Sequence, residues 1–348
     1  IASVADVLPR ARHAMAFGII GASAEAGGVI GPLWAGLITN VSSWEWVFWS
    51  NIPLGIGVIA ALKFSPAGVR NPVKIDLVGG ALFIAVLALF TAALSRAGDT
   101  DVVFGILIAA GGAAVVATVW WHRKVDDPIL PVRLLRTIEF TASNAAHLAA
   151  GISLITVIVT VPLMANTVLG LSPLDGGLML LRMTVAIAFG AIVGGLLVQR
   201  FGTRWPAIAG FALAALGLAA MSQWDIDIGD PLMTIHLTIS GFGFGLLIAP
   251  IHTSALLYAK ADERGTASAL ITASRMVGMT IGLAAIATWG TVRFANMAED
   301  APISLEGVEQ ITSAGLTVFR GFFVSASVVA VLGIVPVWLM SRDRVENA

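Results

Sequence analysis

The sequence predicts an all-α integral membrane protein, a helical bundle with about ten membrane-crossing helices. Of its 348 residues, 57% are hydrophobic and only 12% are charged, and the mean hydropathy is +0.91. Ordinary globular domains carry about 25% charged residues. Ten apolar runs are each long enough to cross about 30 Å of hydrocarbon. These predicted spans cover residues 14–38, 46–64, 77–94, 102–121, 141–165, 176–198, 205–222, 232–257, 267–290 and 317–340.

The positive charges alternate between the two sides of these spans. If the chain enters the first span from the cytoplasm, only Arg96 and Arg293 fall in outer loops, and the inner loops and tail hold all the other Lys and Arg residues outside the spans. This bias sets the orientation of membrane proteins, so both ends of the chain are expected in the cytoplasm. Tryptophans are expected as interfacial anchors at span ends. These are Trp44, Trp46, Trp120, Trp121, Trp205, Trp224, Trp289 and Trp338.

The first span carries a face of small residues between Gly18 and Gly36. At about 100° per residue, successive small residues of this stretch fall on one side of the helix. Small residues let membrane helices approach closely, so this face is expected to form a seam with another helix. Glu25 lies on the same face, and a carboxylate within an apolar span is a functional candidate by default.

The spacing of these small residues resembles the antiporter motif of the major facilitator superfamily, which occurs in proton-coupled drug exporters. The segment from Trp44 to Gly55 is similar to the junction that follows in the fourteen-helix drug:proton antiporter branch. The family usually has Gly where this chain has Ala35. The motif positions are Gly18, Gly27, Gly31, Pro32, Ala35 and Gly36.

The resemblance implies a secondary transporter that exports drugs or metabolites across the cytoplasmic membrane by proton antiport and alternating access. It implies no cofactor beyond the proton gradient. The expected partners are the lipid bilayer and a small organic substrate, not nucleic acid, and the expected state is a monomer. Because the chain opens at Ile1 and not at Met, we expect a fragment that lacks the first four of fourteen helices.

The resemblance also implies how the ten spans are divided. Two spans would complete a first bundle, two would form an inserted pair, and six would form a second bundle. The implied boundaries are 1–65 for the end of the first bundle, 66–121 for the inserted pair, 122–139 for a cytoplasmic connector, 140–341 for the second bundle and 342–348 for a cytoplasmic tail.

A second motif follows the sixth span. Gly195, Gln199, Arg200, Gly202 and Arg204 follow the spacing of the family's inter-helix loop motif, with Gln199 where the family favours Asp. The arginines also fit as ordinary inner-side charges, so a role in transport and a role in topology both stay open at this point.

Three arginines lie inside the predicted spans. Arg320 is expected to reach back to the outer surface of the membrane. Arg182 and Arg275 lie deeper, where an unpaired charge is costly. Because Glu25 is the only carboxylate within the ten spans, counter-charges are expected on helices outside this chain. Glu25, Arg182 and Arg275 are therefore candidates for proton coupling or for the substrate cavity, with structural pairing between helices as the alternative.

Three histidines, His147, His236 and His252, lie in the fifth and eighth spans. Histidine titrates in the range needed for a proton relay, so His147 and His236 are further candidates. Lone histidines in helices are, however, more often hydrogen-bonded packing residues. None of the three has ligand spacing with another on one helix, so no metal site is predicted. The absence of Cys excludes disulfides and thiolate metal sites.

Two local features have structural interpretations. Asp76 precedes the third span and is expected to cap its N-terminus. The run Gly241–Gly245 alternates Gly and Phe in the middle of a span, where no strand precedes it. It therefore predicts close helix packing and not a nucleotide-binding loop.

Two other function classes remain as alternatives. A membrane-embedded enzyme acting on lipid-linked substrates predicts paired carboxylates, or His and Asp at metal spacing, in a large loop. The longest predicted outer loop, 291–316, has acidic residues but no such arrangement. A non-transporting membrane sensor is compatible with the sequence, although ionisable residues within the spans argue against an inert role.

Overall fold

The structure, a computed structural model, describes residues 12, 15–24, 27, 34, 38, 41–63, 76–94, 96, 101–125, 132–260, 263–298 and 305–340. All regular secondary structure within these ranges is helical. The helices are α1 (Met15–Ala24), α2 (Glu45–Trp49), α3 (Asn51–Leu62), α4 (Leu77–Leu94), α5 (Val102–His122), α6 (Val132–Arg136), α7 (Ile138–Thr167), α8 (Pro173–Phe201), α9 (Arg204–Met221), α10 (Asp230–Leu257), α11 (Arg264–Ala285), α12 (Thr291–Ala298), α13 (Leu305–Leu332) and α14 (Ile334–Val337).

Eight helical stretches of the described ranges are long and apolar enough to cross a membrane. They correspond to the third through tenth predicted spans and confirm the all-α membrane fold. Within the first predicted span the structure describes residues 15–24, 27, 34 and 38. The second is divided into α2 and α3 at Ser50, because Pro53 has no N–H to donate to the carbonyl of Trp49.

Six long helices, α7 to α11 and α13, form what we call the six-helix body. Its centre is α10, which packs between α8 and α9, while α11 and α13 pack against α7. From Gly241 to Leu256 every residue of α10 except Phe242 is buried. The middle of this apolar helix is therefore surrounded by protein and not by lipid.

The glycines of the Gly241–Gly245 run explain how α10 approaches two neighbours at once. A Cβ at Gly241 or Gly245 would collide with main-chain carbonyls of α8, and a Cβ at Gly243 would collide with the main chain of α9. Bare backbone on alternating residues allows contact on both sides. The prediction of close packing in this run is confirmed.

Helices α4 and α5 pack mainly on each other, and α4 also touches α11. Asp76 caps α4 as predicted, because its Oδ1 accepts a hydrogen bond of 2.8 Å from the N–H of Gly79. The same oxygen accepts a hydrogen bond of 2.9 Å from the indole Nε1 of Trp121. One carboxylate thus joins the start of α4 to the end of α5.

The outer ends of the last two spans differ from the prediction. Helix α11 continues through a single π-helical segment, Ile286–Gly290, into α12, and α13 begins at Leu305 instead of 317. The outer loop predicted at 291–316 is therefore mostly helical. The predicted apolar span began at 317, but Glu309, Gln310 and Ala314 before it are good helix formers, so the helix extends beyond the apolar sequence.

The connector predicted at 122–139 contains the short helix α6. Leu134 of α6 is fully buried. Arg133 donates hydrogen bonds to the carboxylate of Glu263 and, at 3.1 Å, to the carbonyl of Tyr258. These contacts attach the connector to the segment between α10 and α11. The division of the chain into bundles remains a prediction.

Candidate functional site

The glycine face of α1 lies directly against the six-helix body. A Cβ at Gly18 would collide with the carbonyl oxygen of Ala191 on α8, and a Cβ at Gly21 would collide with the side chain of Ile248 on α10. Phe17 beside them is 1% exposed. Only glycine permits this distance between the helices, so α1, α8 and α10 meet at a close seam.

Glu25 and part of the predicted motif lie outside the described residues. These positions are Glu25, Gly31, Pro32, Ala35 and Gly36. The continuation of the seam beyond α1 and the role of Glu25 therefore stay predictions. Gly27 is described, and no described neighbour stands within 4 Å of the position that its Cβ would take.

A small cavity lies behind the seam. Its volume is about 10 Å³, about what one water molecule needs. Ile248, which meets Gly21 on α1, also forms part of the cavity wall, so the seam and the cavity share a side chain. Two predicted site residues, His147 and Arg275, line the same cavity. The full lining is His147, Ala150, Leu154, Ile187, Phe244, Leu247, Ile248 and Arg275.

His147 and His252 form a contact pair beside this cavity. Their ring centroids are 5.2 Å apart and the ring planes meet at 81°. The Nδ1 atom of His147 lies 2.9 Å from the carbonyl oxygen of Ile271 on α11, and Nδ1 of His252 lies 2.9 Å from that of Ile248. Both rings are almost fully buried, at 3% and 5% exposure. The pair thus joins α7 to α10 by ring contact and to α11 by a hydrogen bond.

Further polar contacts hold the helices around the pair. The hydroxyl oxygens of Ser143 on α7 and Ser254 on α10 are 3.1 Å apart, and Ser274 on α11 donates a 2.7 Å hydrogen bond to Asn144 Oδ1. A Cβ at Gly151 would collide with the main-chain carbonyl of Arg275. Because the backbones of α7 and α11 touch there, the side chain of Arg275 begins from a closely fixed position.

Arg182 is not among the residues that line this cavity. It donates hydrogen bonds to the carboxylate of Asp230, the first residue of α10, and at 2.7 Å to the hydroxyl of Thr234. The expectation that its counter-charge lies outside the chain is therefore wrong. The predicted eighth span began at 232, which left Asp230 in a loop. The long Arg side chain reaches that helix end from inside the membrane.

His236 and Arg320 meet around Trp224. The indole Nε1 of Trp224 donates a 3.0 Å hydrogen bond to Nδ1 of His236, and Arg320 Nε donates at 2.8 Å to the Trp224 carbonyl. Arg320 also lies 3.6 Å from the carboxylate of Asp225. Trp224 is fully buried and not an interfacial anchor, because the loop folds inward onto Phe323. Arg320 reaches the outer loop, as predicted.

The loop motif between α8 and α9 contains one residue with a clear structural role. Gly202 ends α8 with φ of +73°, a conformation that favours glycine. Arg204 is 8% exposed, donates a 2.8 Å hydrogen bond to the carbonyl of Met340, and lies 5.7 Å from the ring centroid of Trp338. It binds the end of the last helices, where a cation is favourable. Arg200 lies 5.6 Å from the ring centroid of Phe201, and the Cα of Gly195 lies 3.5 Å from the position that a Cβ at Gly18 would take.

Sequence reasoning missed two partners at these sites. The one signal for Asp230 was that it and Arg182 both lie toward the outer ends of their helices, although α8 and α10 are parallel and not consecutive. The pairing of His147, on α7, with His252, on α10, had no such signal.

The sequence of this chain is similar to those of known proteins. The chain matches the model of the Major Facilitator Superfamily over residues 1–78 and 144–348. Three similar proteins carry the name triacylglyceride transporter. The one from Mycobacteroides abscessus is 35% identical over 83% of this chain and 60% of its own length. The one from Mycolicibacterium smegmatis is 32% identical over 96% of this chain and 66% of its own.

The third, from Mycobacterium tuberculosis, is 30% identical over 99% of this chain and 72% of its own length. The chain thus spans about three fifths to two thirds of the length of the first two relatives.

Proposed function

The chain belongs to the major facilitator superfamily, and from that membership we propose that the protein containing it is a secondary transporter. In this proposal it exports an apolar, lipid-like organic molecule by proton antiport. One observation carries the proposal. Helix α1 meets the six-helix body through glycines, directly in front of a cavity that holds Arg275 and His147.

The relatives favour a neutral lipid as the substrate class. Their names specify triacylglycerides, and the similarity to them extends over at least 83% of this chain. The cavity wall is apolar apart from His147 and Arg275. At about 10 Å³ this cavity holds no more than one water, so the proposed substrate class rests on the relatives. Export of amphipathic drugs is the second candidate, because the glycine spacing on α1 resembles that of drug antiporters.

The mechanism that fits this arrangement is alternating access. Helix α1 would separate from α8 and α10 and return to them, and glycines at Gly18 and Gly21 permit the closed contact. A ligand shifts such an equilibrium only if it binds the two states differently. We assign proton coupling to Glu25, Arg275 and His147. The last two lie in the wall that the movement of α1 would uncover.

The location of the protein follows from the same proposal. The chain is a multi-pass membrane protein. We place it in the cytoplasmic membrane as a monomer, with both ends of this chain in the cytoplasm, because this orientation puts most of the Lys and Arg residues on the inner side. The transporter relatives favour this class over a membrane-embedded enzyme or a sensor.

The test uses the purified protein containing this chain in proteoliposomes. A fluorescent triacylglyceride and a fluorescent cationic dye are offered separately, with and without a pH gradient. We expect gradient-driven movement of the lipid. Glu25→Gln should abolish the gradient dependence, and Glu309→Gln, an exposed carboxylate of α13, should leave it unchanged.

Each other outcome changes the proposal in a defined way. Movement of the dye but not of the lipid would favour drug export. Lipid movement that is the same with and without the pH gradient would contradict proton antiport. If neither compound moves under any condition, the transporter function itself is contradicted.

A further inference from the structure

We propose that His147 and His252 together form one proton-binding site, which takes up a single proton on one or the other imidazole ring beside Arg275. This inference rests on the proton antiport proposed above and deepens it by naming where the proton binds. The two rings lie on α7 and α10, with centroids 5.2 Å apart, and His147 lines the cavity behind the α1 seam.

The hydrogen bonds of the two rings determine which nitrogen can accept the proton. A main-chain carbonyl only accepts, so the Nδ1 atoms that face the Ile271 and Ile248 carbonyls must each carry hydrogen. In a neutral imidazole the other nitrogen then has a lone pair. Both rings therefore present Nε2 as a proton acceptor, and neither Nδ1 bond is broken when a proton arrives.

The contact between the rings limits the site to one proton. Once either ring is cationic, the other lies about 5 Å away in a buried setting, where like charges repel strongly. Two groups that interact by more than about one pH unit titrate as a pair and not as independent residues. We therefore expect one proton per pair across the working pH range.

Within the described part of the chain, few charged groups lie around the pair. Arg275 on α11 is the charged residue that shares the cavity wall with His147. Glu139 and Arg264 lie in the first turns of α7 and α11, at the opposite side from the outer-end pairs of α8, α10 and α13. Glu25 follows α1, outside the described residues. The outer-end pairs are Arg182 with Asp230 and Arg320 with Asp225.

The position of Arg275 gives proton uptake a mechanical consequence. Ile271, which accepts the bond from His147, lies one turn before Arg275 on α11. A proton on the pair adds positive charge next to the guanidinium, and this favours a conformation in which the Arg275 side chain turns away from His147. The pair thus acts on Arg275 of α11 while its own hydrogen bond still holds α7 to that helix.

Solid-state ¹⁵N NMR of the histidine-labelled protein in lipid bilayers tests the site directly. This chain has five histidines, and one substitution at each of them assigns its signal. We expect His147 and His252 to show the Nδ1–H form at pH 8 and to take up one proton together as the pH falls to 5. Because the two rings compete for that proton, each should reach only partial protonation in the wild type; His252→Asn should let His147 become fully protonated over the same pH range, and His122→Asn should leave its partial protonation unchanged.

His147→Asn separates proton binding from structure. The Asn side-chain amide can still donate to the Ile271 carbonyl but offers no nitrogen lone pair to a proton. We expect this variant to keep its thermal stability and to lose gradient-driven transport. Loss of stability together with transport would instead assign His147 a purely structural role.

The outcomes distinguish this site from the antiport on which it rests. If transport follows the gradient but both rings stay neutral down to pH 5, or if each takes its own proton independently, the pair is not the site. If the rings share one proton but no substrate movement follows the gradient, antiport is contradicted while the site stands. The wild-type spectrum alone counts the protons, so a variant that fails to fold does not remove the test.

Discussion

Arg182 on α8 donates hydrogen bonds to both the carboxylate of Asp230 and the hydroxyl of Thr234 on α10. The guanidinium therefore bridges two successive positions on one face of the neighbouring helix. This contact gives a deep-lying arginine its counter-charge at the outer end of the six-helix body. It also removes Arg182 from the group of residues that surround the cavity.

The Arg182 bridge should stabilise the fold and not carry protons. Asp230→Ala leaves the guanidinium without its counter-charge, and we expect a loss of about 1 kcal/mol in the free energy of unfolding, because the pair is partly exposed. A double-mutant cycle with Arg182→Ala should recover most of that loss as a coupling energy. Asp227→Ala in the same loop is the control. Unfolding of the purified protein measures all four variants, and full additivity would contradict the bridge.

A side chain at Gly18 should block transport without preventing insertion. Gly18→Leu places atoms where the Ala191 carbonyl now lies, so α1 cannot return to α8. We expect normal amounts of protein in the membrane and loss of gradient-driven substrate movement. Gly112→Leu on α5 is the matched control, since the space beyond its Cβ is open. Full transport by Gly18→Leu would show that the seam does not close during the cycle.

Local chemistry explains which features could be predicted from the sequence. The Asp76 cap and the packing of Gly241–Gly245 depend on residues close together in the chain, and both predictions are confirmed. The His147 and His252 pair depends on how three helices are arranged, which no local pattern specifies. The length of α13 was underestimated because hydropathy marks only the part of a helix that lies in the membrane. Polar residues that favour helix extend α13 beyond the bilayer.

Arg204 should contribute mainly to stability. Removal of its buried guanidinium leaves the Met340 carbonyl without its donor, and we expect Arg204→Ala to cost about 2 kcal/mol. Arg204→Lys should restore only part of this, because an ammonium lacks the planar fork and stacks less well on Trp338. Unfolding measurements compare both variants with Arg200→Ala, an exposed neighbour. If Arg204→Ala instead keeps its stability and loses transport, the loop motif has a role in the transport cycle.

The bond between Arg133 and Glu263 should persist across the pH range of a biological proton gradient. Burial raises the pKa of Glu263, but hydrogen bonds from Arg133 and the Lys260 N–H, with the charges of both residues, outweigh it and hold the pKa below its usual value. A depressed carboxyl pKa adds stability above the unfolded-state value of about 4.3, and this is lost as the pH falls through the folded-state pKa.

The stability difference between wild type and Arg133→Ala should therefore be the same at pH 8 and pH 5.5 and should shrink only in more acidic solution. Thermal unfolding across this series measures it. A difference that already disappears between pH 7 and pH 6 would mean that the connector responds to the gradient.

His236 should act as a hydrogen-bond acceptor and not as a proton carrier. The indole of Trp224 can only donate, so Nδ1 of His236 must be the acceptor, and a proton there would break the bond. His236→Asn places an amide oxygen near the position of Nδ1, and we expect it to retain stability and gradient-driven transport. His236→Leu leaves the buried indole N–H unpaired and should cost about 1–3 kcal/mol. Unfolding and transport assays on both variants decide the matter. If the folded His236→Asn protein moves substrate equally with and without the pH gradient, His236 is a proton-relay residue after all.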